Sequence, residues 1–164
     1  MSPVSIEVTI RPLIGGDREL LRTATLTNVN WTGEQRFTHR DVDETPDLRH
    51  YTEFQPERGD LGLVAERDGL TVGVVWALFL AGADRGYGHV ADDVPELSLC
   101  VWSGYRGQGV GGELLRRVLV EARRRGLPRL SLSVEAGNPA VHLYRAAGFR
   151  PVPEAVEGTM AVDL

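Results

Sequence analysis

A chain of 164 residues with a net charge of −5 is long enough to bury the core of one domain, and its charge argues against general nucleic-acid binding. No apolar run reaches the ~20 residues of a membrane span, and the start, Met1-Ser2-Pro3-Val4, lacks the basic and apolar regions of a signal peptide. The single cysteine excludes an internal disulfide, so we expect the protein to be cytoplasmic. From the length we expect a single domain over residues 1–164.

The first third of the chain predicts a strand, two helices and a loop. Residues 4–11 alternate apolar and polar side chains, which is typical of a half-buried strand. Asp17 is a candidate N-cap for a helix, residues 28–40 have no clear period and are expected to form a loop, and Thr45-Pro46 is typical of the start of a short helix ending near Phe54.

Residues 61–80 form the clearest hairpin in the sequence. Two apolar runs flank Asp68-Gly69, a dipeptide that supplies the positive φ angles of a tight antiparallel turn. Both faces of the second run are largely apolar, so we expect a central strand covered on both sides. One face is predicted to carry Val72, Val74, Trp76 and Leu78. The following residues 81–93 are expected to be a loop, either a connection or the lip of a substrate site.

Residues 96–125 predict a strand, a glycine-rich turn and a long helix. Residues 96–101 alternate polar and apolar side chains, and a stripe of Val110, Leu114, Val118 and Ala122 recurs every four residues after the turn. The first N–H groups of a helix have no intrahelical partners, and the helix dipole favours negative charge there. Glycines let a phosphate approach the backbone closely, so this stretch predicts a phosphate-bearing ligand.

The last 40 residues predict a strand, a helix and an antiparallel pair. Residues 129–135 alternate as a strand, Asn138-Pro139 opens a helix that Gly148 closes, and residues 149–152 and 159–164 are expected to pair.

Two kinds of phosphate ligand compete for the glycine-rich turn. Gly107-x-Gly109-x-x-Gly112 fits the dinucleotide fingerprint, with Glu135 at a suitable distance for the ribose acid. Five residues separate Val101 from Gly107, however, whereas the dinucleotide turn leaves its strand almost at once. The preceding hairpin also indicates an antiparallel sheet, which disfavours this interpretation.

The alternative spacing, Arg106-x-x-Gly109-x-Gly111, resembles the acyl-coenzyme A pyrophosphate loop of the GNAT superfamily of N-acetyltransferases. A second stretch, Asn138-x-Ala140-x-x-x-Tyr144-x-x-x-Gly148-Phe149, is similar to another signature of that superfamily and lies in the expected place. Together the two motifs cover about a third of the chain, and both occur in the family's order.

The resemblance implies a fold and an activity. The expected fold is a single α/β (α+β) domain with a mixed, mainly antiparallel sheet of six to seven strands and about four helices, in which a parallel pair of strands splays apart at the cofactor. The expected activity is transfer of an acetyl or related acyl group from acetyl-coenzyme A to a primary amine, in a monomer or homodimer. A coenzyme A-binding sensor without catalysis is the alternative.

The resemblance also implies which residues would bind the cofactor. The main chain of Leu99, Cys100 and Val101 would pair with the pantetheine arm, and Asn138 would bond the pantetheine or the adjoining backbone. Asn138 is alternatively a helix cap. The pyrophosphate would be held by the amides of Arg106, Gly107, Gln108, Gly109, Val110, Gly111 and Gly112.

Two side chains are candidates for the chemistry. Glu96 stands four residues before Cys100, which resembles the general-base position in part of the family; alternatively it is an exposed strand-edge residue. Tyr144 would point at the thioester sulfur and protonate the leaving thiolate; alternatively it is a core aromatic. Cys100 has no histidine near it in sequence, so we expect packing and not an acyl-enzyme. The four histidines lack metal-ligand spacing, and we expect no metal.

Overall fold

The structure, a computed structural model, describes residues 7–164, and seven strands within these residues form one sheet. In chain order they are β1 (Thr9–Pro12), β2 (Leu61–Arg67), β3 (Leu70–Leu78), β4 (Glu96–Val101), β5 (Arg129–Ser133), β6 (Arg150–Pro151) and β7 (Thr159–Asp163). The sheet order is β1-β2-β3-β4-β5-β7-β6, and β4–β5 is its one parallel pair. The predicted mixed, mainly antiparallel fold is confirmed, and it differs from the parallel sheet of a dinucleotide-binding domain. The first strand was predicted over residues 4–11, of which residues 4–6 lie outside the described part.

Residues 7–164 contain five α-helices, one more than predicted. They are α1 (Arg18–Val29), α2 (His39–Glu44), α3 (Pro46–Arg49), α4 (Val110–Arg124) and α5 (Ala140–Ala146). The additional helix is α2, which begins inside the predicted loop. A capping box starts it: the Thr38 hydroxyl accepts from the Asp41 N–H at 3.2 Å, and the Asp41 carboxylate accepts from the Thr38 N–H at 2.8 Å.

The predicted capping role of Asp17 is wrong. Asp17 stands at the N-cap position of α1, but its side chain makes no cap bond. Instead it pairs with both terminal nitrogens of Arg11, at 2.9 and 3.0 Å, and accepts from the Ile14 N–H at 2.9 Å. The Arg11 guanidinium on β1 therefore binds the carboxylate that would otherwise have capped the helix.

The hairpin has the predicted turn at Asp68-Gly69, where both φ angles are positive. One detail of β3 differs from the prediction. Ala65 pairs with Gly73 and Glu66 pairs with Thr71, so Val72 has no partner on β2 and forms a bulge. The alternation therefore slips: Val74 and the following Trp76 and Leu78 pack in one core cluster, and Val72 packs in the cluster on the other face.

Strands β4 and β5 are in register at one position only, Glu96 opposite Ser131. There the Ser131 N–H donates to the Pro95 carbonyl at 3.2 Å. The described residues give no further pair between these strands, so β4 and β5 separate toward their carboxyl ends. This is the predicted splayed pair, and α4 connects the two strands.

Gly73 sets how closely α4 approaches the sheet. A Cβ atom at this position would lie 3.0 Å from a Leu114 methyl, 3.1 Å from a Val110 methyl and 3.2 Å from the Cys100 carbonyl. The first turns of α4 therefore rest directly on the backbone of β3.

We expect Gly73→Val to lower the free energy of unfolding by about 1–3 kcal/mol, because the added methyls overpack the contact with α4. Urea unfolding followed by circular dichroism measures the change. Thr71→Val, two residues earlier on the same strand and half-exposed, is the control and should change stability by no more than about 0.5 kcal/mol. Equal stabilities for the parent and the Gly73 variant would show that α4 does not rest on this glycine.

Candidate active site

The loop between β4 and α4 ends in a helix N-terminus with free amides. Gly107 and Gly109 have φ angles of 74° and 87°, and a Cβ atom at either position would find nothing within 4 Å. Gly109 is the N-cap of α4, and no side chain within residues 7–164 caps that helix. The first-turn amides, those of Val110 to Gly112, are therefore available, together with the positive end of the helix dipole, to bind an anion.

The first turn of α4 lies beside the carboxyl end of β4, beyond the point where that strand separates from β5. A Cβ atom at Gly111 would lie 3.3 Å from a Leu143 methyl, on α5, and 3.4 Å from a Val101 methyl, on β4. The Arg106 side chain folds back over the same strand end, where its Nε donates to the Val101 carbonyl at 3.1 Å. The predicted phosphate loop and the predicted pantetheine strand are thus adjacent.

Glu96 is buried, with 5% of its surface exposed, so its interpretation as an exposed edge residue is wrong. The Tyr51 hydroxyl donates to Oε2 at 2.5 Å, and the Gly88 N–H donates to Oε1 at 2.8 Å. Burial raises the pKa of Glu96, and the hydrogen bonds from Tyr51 and Gly88 act against that shift. The carboxyl group therefore holds its proton to higher pH than an exposed glutamate does.

The residues around Glu96 come from segments that the sequence did not connect with it. Tyr51 belongs to a 3₁₀ turn, His50–Thr52, and lies 45 residues before Glu96 in the chain. Its hydroxyl also accepts from the Tyr87 N–H at 3.1 Å. A Cβ atom at Gly86 would overlap Glu96 Oε1, so this part of the loop over residues 81–93 lies directly on the carboxylate.

Two buried polar atoms near this carboxylate have no hydrogen-bond partner among residues 7–164. Ser131, the register neighbour of Glu96 on β5, is completely buried and its hydroxyl is unpaired. His50 places Nδ1 3.0 Å from an Asp84 carboxylate oxygen, and its Nε2 is unpaired. Neither residue was singled out from the sequence, because a serine in a strand and an isolated histidine carry no local pattern.

Tyr144 lies on α5 and has 7% of its surface exposed. Its ring meets Phe149 edge to face, with the ring centroids 5.9 Å apart. Burial, with a smaller contribution from Cys100, raises the pKa of Tyr144 to about 12, so the phenol is protonated at neutral pH. Asn138 acts as a cap: its Oδ1 accepts from the Ala140 N–H at 3.0 Å.

Cys100 is buried in β4, where 4% of its surface is exposed. Burial raises the pKa of its thiol to about 12, and this outweighs Arg106 and Thr27, which act in the opposite direction. The thiol is therefore protonated at neutral pH and is a poor nucleophile. Its environment is that of a packing residue.

A cavity of about 320 Å³ lies between the end of α1 and the glycine-rich loop. Its lining residues are Leu26, Thr27, Asn30, Trp31, Gly33 and Arg106. The segment after α1 is tied to the end of β5, since the Trp31 indole N–H donates to Glu135 Oε2 at 3.1 Å and Arg36 pairs with Glu135 Oε1 at 3.1 Å. The Arg36 guanidinium lowers the pKa of Glu135, the residue that the dinucleotide interpretation assigned to a ribose.

Among the described residues, no group of three or more His, Cys, Asp or Glu side chains is placed to hold a metal ion. No helix in residues 7–164 has the length and apolar character needed to cross a bilayer.

Residues 25–149 match the acetyltransferase (GNAT) family, and the chain belongs to that family. A mycothiol acetyltransferase from Cellulomonas flavigena is 38% identical over 89 residues, which are 53% of this chain and 26% of the relative. The match therefore spans about a quarter of that longer protein.

Solved structures of the family have the same fold. A GNAT acetyltransferase from Staphylococcus aureus Mu50 gives a TM-score of 0.71 at 16% identity, covering 96% of this chain and 99% of the other. The PaiA N-acetyltransferase from Thermoplasma acidophilum, in complex with coenzyme A, gives 0.70 at 18% identity over 97% and 100% of the two chains. A ribosomal-protein-alanine N-acetyltransferase from Brucella melitensis gives 0.63 at 26% identity over 95% and 99%.

Proposed function

We propose that this protein transfers an acetyl or related short acyl group from acyl-coenzyme A to a primary amine, by direct attack within a ternary complex. The observation that carries the proposal is the free N-terminus of α4 beside the gap between β4 and β5. That arrangement offers an anion site and an unpaired strand edge a few residues apart. The coenzyme A complex of the Thermoplasma acidophilum protein, which has the same fold, supports this choice of ligand.

The cofactor is proposed to lie along the separated edge of β4. Its pyrophosphate accepts hydrogen bonds from the amides of residues 106–112, and its pantetheine amides pair with the main chain of Leu99, Cys100 and Val101. The Val101 carbonyl already accepts from Arg106, so the pantetheine displaces this guanidinium, which is then free to meet a phosphate. Asn138 keeps its capping role and contributes through its backbone.

The proposed reaction begins with an amine that has lost its proton. An alkyl amine with a pKa near ~10 is a free base in only about one molecule per thousand at neutral pH. The thousandfold shortage of free base corresponds to roughly 4 kcal/mol of free energy, and a positioned carboxylate assists removal of the proton from the amine. Glu96 accepts the proton through water, because the loop at Gly86 and Gly88 separates its carboxylate from direct contact with an acceptor.

The amine nitrogen then forms a bond to the thioester carbon. A main-chain N–H near Leu99 or Cys100, freed by the separation of β4 from β5, stabilises the oxyanion. The C–S bond breaks, and the thiolate receives its proton from Tyr144. The nitrogen loses its remaining extra proton to solvent, and a proton from solvent restores the Tyr144 phenol. The products are the acylated amine and coenzyme A.

The acceptor is proposed to enter on the face of the sheet covered by α1 to α3 and by residues 81–93. Its class is a primary amine: a small metabolite, an antibiotic, a polyamine, or the N-terminus or a lysine of a peptide. The names of the similar proteins refer to different molecules, mycothiol in one and a ribosomal-protein alanine in another, so they do not select among these classes. The acidic net charge supports a cationic acceptor. The presence of only one cysteine supports a location in the reducing cytoplasm.

A coenzyme A-binding sensor is the second candidate function, supported by the fact that the anion site needs neither Glu96 nor Tyr144. An amine panel screened for release of the coenzyme A thiol decides between the two. We expect at least one amine to be acylated. If acetyl-coenzyme A binds and no amine in a broad panel reacts, the sensor becomes the better assignment.

We expect calorimetry to show saturable binding of coenzyme A and none of NAD, because the sheet lacks the parallel crevice that a dinucleotide uses. Gly109→Val should abolish coenzyme A binding, since a side chain there projects among the amides that hold the pyrophosphate. Gly126→Val is a matched control at the other end of α4, where φ is also positive and the space is also open. Binding of NAD in place of coenzyme A would overturn the proposal.

Tyr144→Phe should lower kcat by about 10²-fold or more while coenzyme A affinity stays nearly unchanged, because the lost hydroxyl acts on the departing thiolate. Steady-state kinetics with the confirmed acceptor measures the first quantity and calorimetry the second. Loss of affinity and rate in parallel would instead assign Tyr144 to packing against Phe149.

Glu96→Gln should lower kcat/KM at neutral pH, and part of the loss should be recovered as the pH approaches the pKa of the amine. The reason is that free base then comes from solution and no longer requires the carboxylate. Glu66→Gln, a half-exposed glutamate on β2, is the control and should keep the parent profile. A Glu96 variant with the parent rate at every pH would remove the base role.

A further inference from the structure

We propose that Tyr51 is a positioning residue for Glu96: its hydroxyl orients the carboxylate, favours its charged form over the protonated one, and helps to set the pH at which Glu96 begins to accept a proton. This inference rests on the proposed base role of Glu96 and extends it to a residue in another part of the chain. It is carried by the arrangement of three hydrogen bonds in a buried site.

The directions of these bonds are fixed by the groups that make them. The Gly88 N–H can only donate, and it donates to Glu96 Oε1 at 2.8 Å. The Tyr51 hydroxyl accepts from the Tyr87 N–H at 3.1 Å, which directs its own proton toward Glu96 Oε2. Both carboxyl oxygens therefore receive a donor, as an ionised carboxylate requires.

A protonated Glu96 fits this arrangement less well. Its proton would occupy a free lone pair of one oxygen, and the neutral carboxyl group would then accept the bonds from Tyr51 and Gly88 more weakly than the charged carboxylate does. Each oxygen of the ionised form keeps a further lone pair, so the two donors leave Glu96 able to accept a proton from a water.

Tyr51 is the strongest of the groups that counter the cost of burial at Glu96. Burial raises the pKa of Glu96, and the Tyr51 hydrogen bond opposes this shift most, followed by the Gly88 N–H and then by the nearby His50 and His89. His50 is paired with Asp84, and His89 is paired with Asp92. The pKa of Tyr51 is itself raised, first by burial and then by the charge of Glu96, so the phenol remains a donor throughout the working pH range.

The position of Tyr51 does not depend on Glu96 alone. The Trp76 indole N–H, in the fully buried part of β3, donates to the Tyr51 carbonyl at 2.9 Å. The Tyr51 ring also meets His50 edge to face, with centroids 4.3 Å apart. Removal of the hydroxyl therefore leaves the backbone and ring anchored, which makes the hydroxyl's contribution measurable by itself.

The test is the pH profile of kcat/KM for Tyr51→Phe with a confirmed acceptor. The hydroxyl stabilises the charged form, so its loss should move the acidic limb upward by about one pH unit or more. Tyr87→Phe is the matched control, because it removes a half-exposed phenol from the same loop and keeps the backbone N–H that Tyr51 uses. In a Glu96→Gln background, Tyr51→Phe should produce no shift.

A second measurement separates this inference from the proposed function. In the full chain labelled with ¹³Cδ-glutamate, the Glu96 carboxyl signal is assigned by its loss in Glu96→Gln and then titrated by NMR. Its midpoint should rise in Tyr51→Phe, whether or not an acceptor is turned over. If Tyr51→Phe fails to fold, fluorotyrosine at position 51 is the alternative, because this stronger donor should lower the midpoint.

The outcomes are distinguishable. An unshifted midpoint together with an unshifted acidic limb overturns the role of Tyr51 and leaves the proposed function standing. A shifted midpoint in a protein that acylates no amine upholds the coupling of Tyr51 to Glu96 and removes the proposed function. Equal shifts in Tyr51→Phe and Tyr87→Phe would also overturn the inference, since they would reflect general polarity near the loop.

Discussion

The early end of the pairing between β4 and β5 is the constraint on which the rest of the site depends. Parallel neighbours ordinarily exchange hydrogen bonds along their length, whereas these strands are in register only at Glu96 and Ser131. Main-chain groups of β4 beyond that point face a gap, and backbone groups removed from water need partners. An extended ligand with its own amides can supply them. The proposed binding site for the cofactor and the irregularity of the sheet are therefore one feature.

The parts of the site that follow from local chemistry could be predicted from the sequence. The glycine spacing at Gly107 and Gly109, with an apolar stripe after it, is sufficient to predict a helix N-terminus that is available to an anion. The Asp68-Gly69 turn is equally local, because two adjacent residues determine its φ angles. In both cases the conformation depends on residues that are neighbours in the chain.

The parts that depend on distant segments could not be predicted in this way. Tyr51 and Glu96 meet across 45 residues, and the bulge at Val72 depends on how β2 aligns with β3. Asp17 was a reasonable cap by its position, but Arg11 competes for the same carboxylate. Each of these contacts forms because the folded sheet brings distant segments together. The pattern of residue types within one segment does not predict which groups will meet.

The two glutamates near the gap differ in environment, and this difference is the reason that Glu96 and not Glu135 is proposed as the base. Glu135 is exposed to solvent and paired with Arg36, which lowers its pKa and makes it a weak proton acceptor. Glu96 is buried among neutral donors, and its pKa is raised. A general base is most effective when its pKa lies near the working pH, so the shift at Glu96 has the required direction and the shift at Glu135 does not. Burial raises the pKa of Glu96, and the donors from Tyr51 and Gly88 limit that rise. The pKa of this carboxyl group is thus set by desolvation on one side and by hydrogen bonds from two loops on the other.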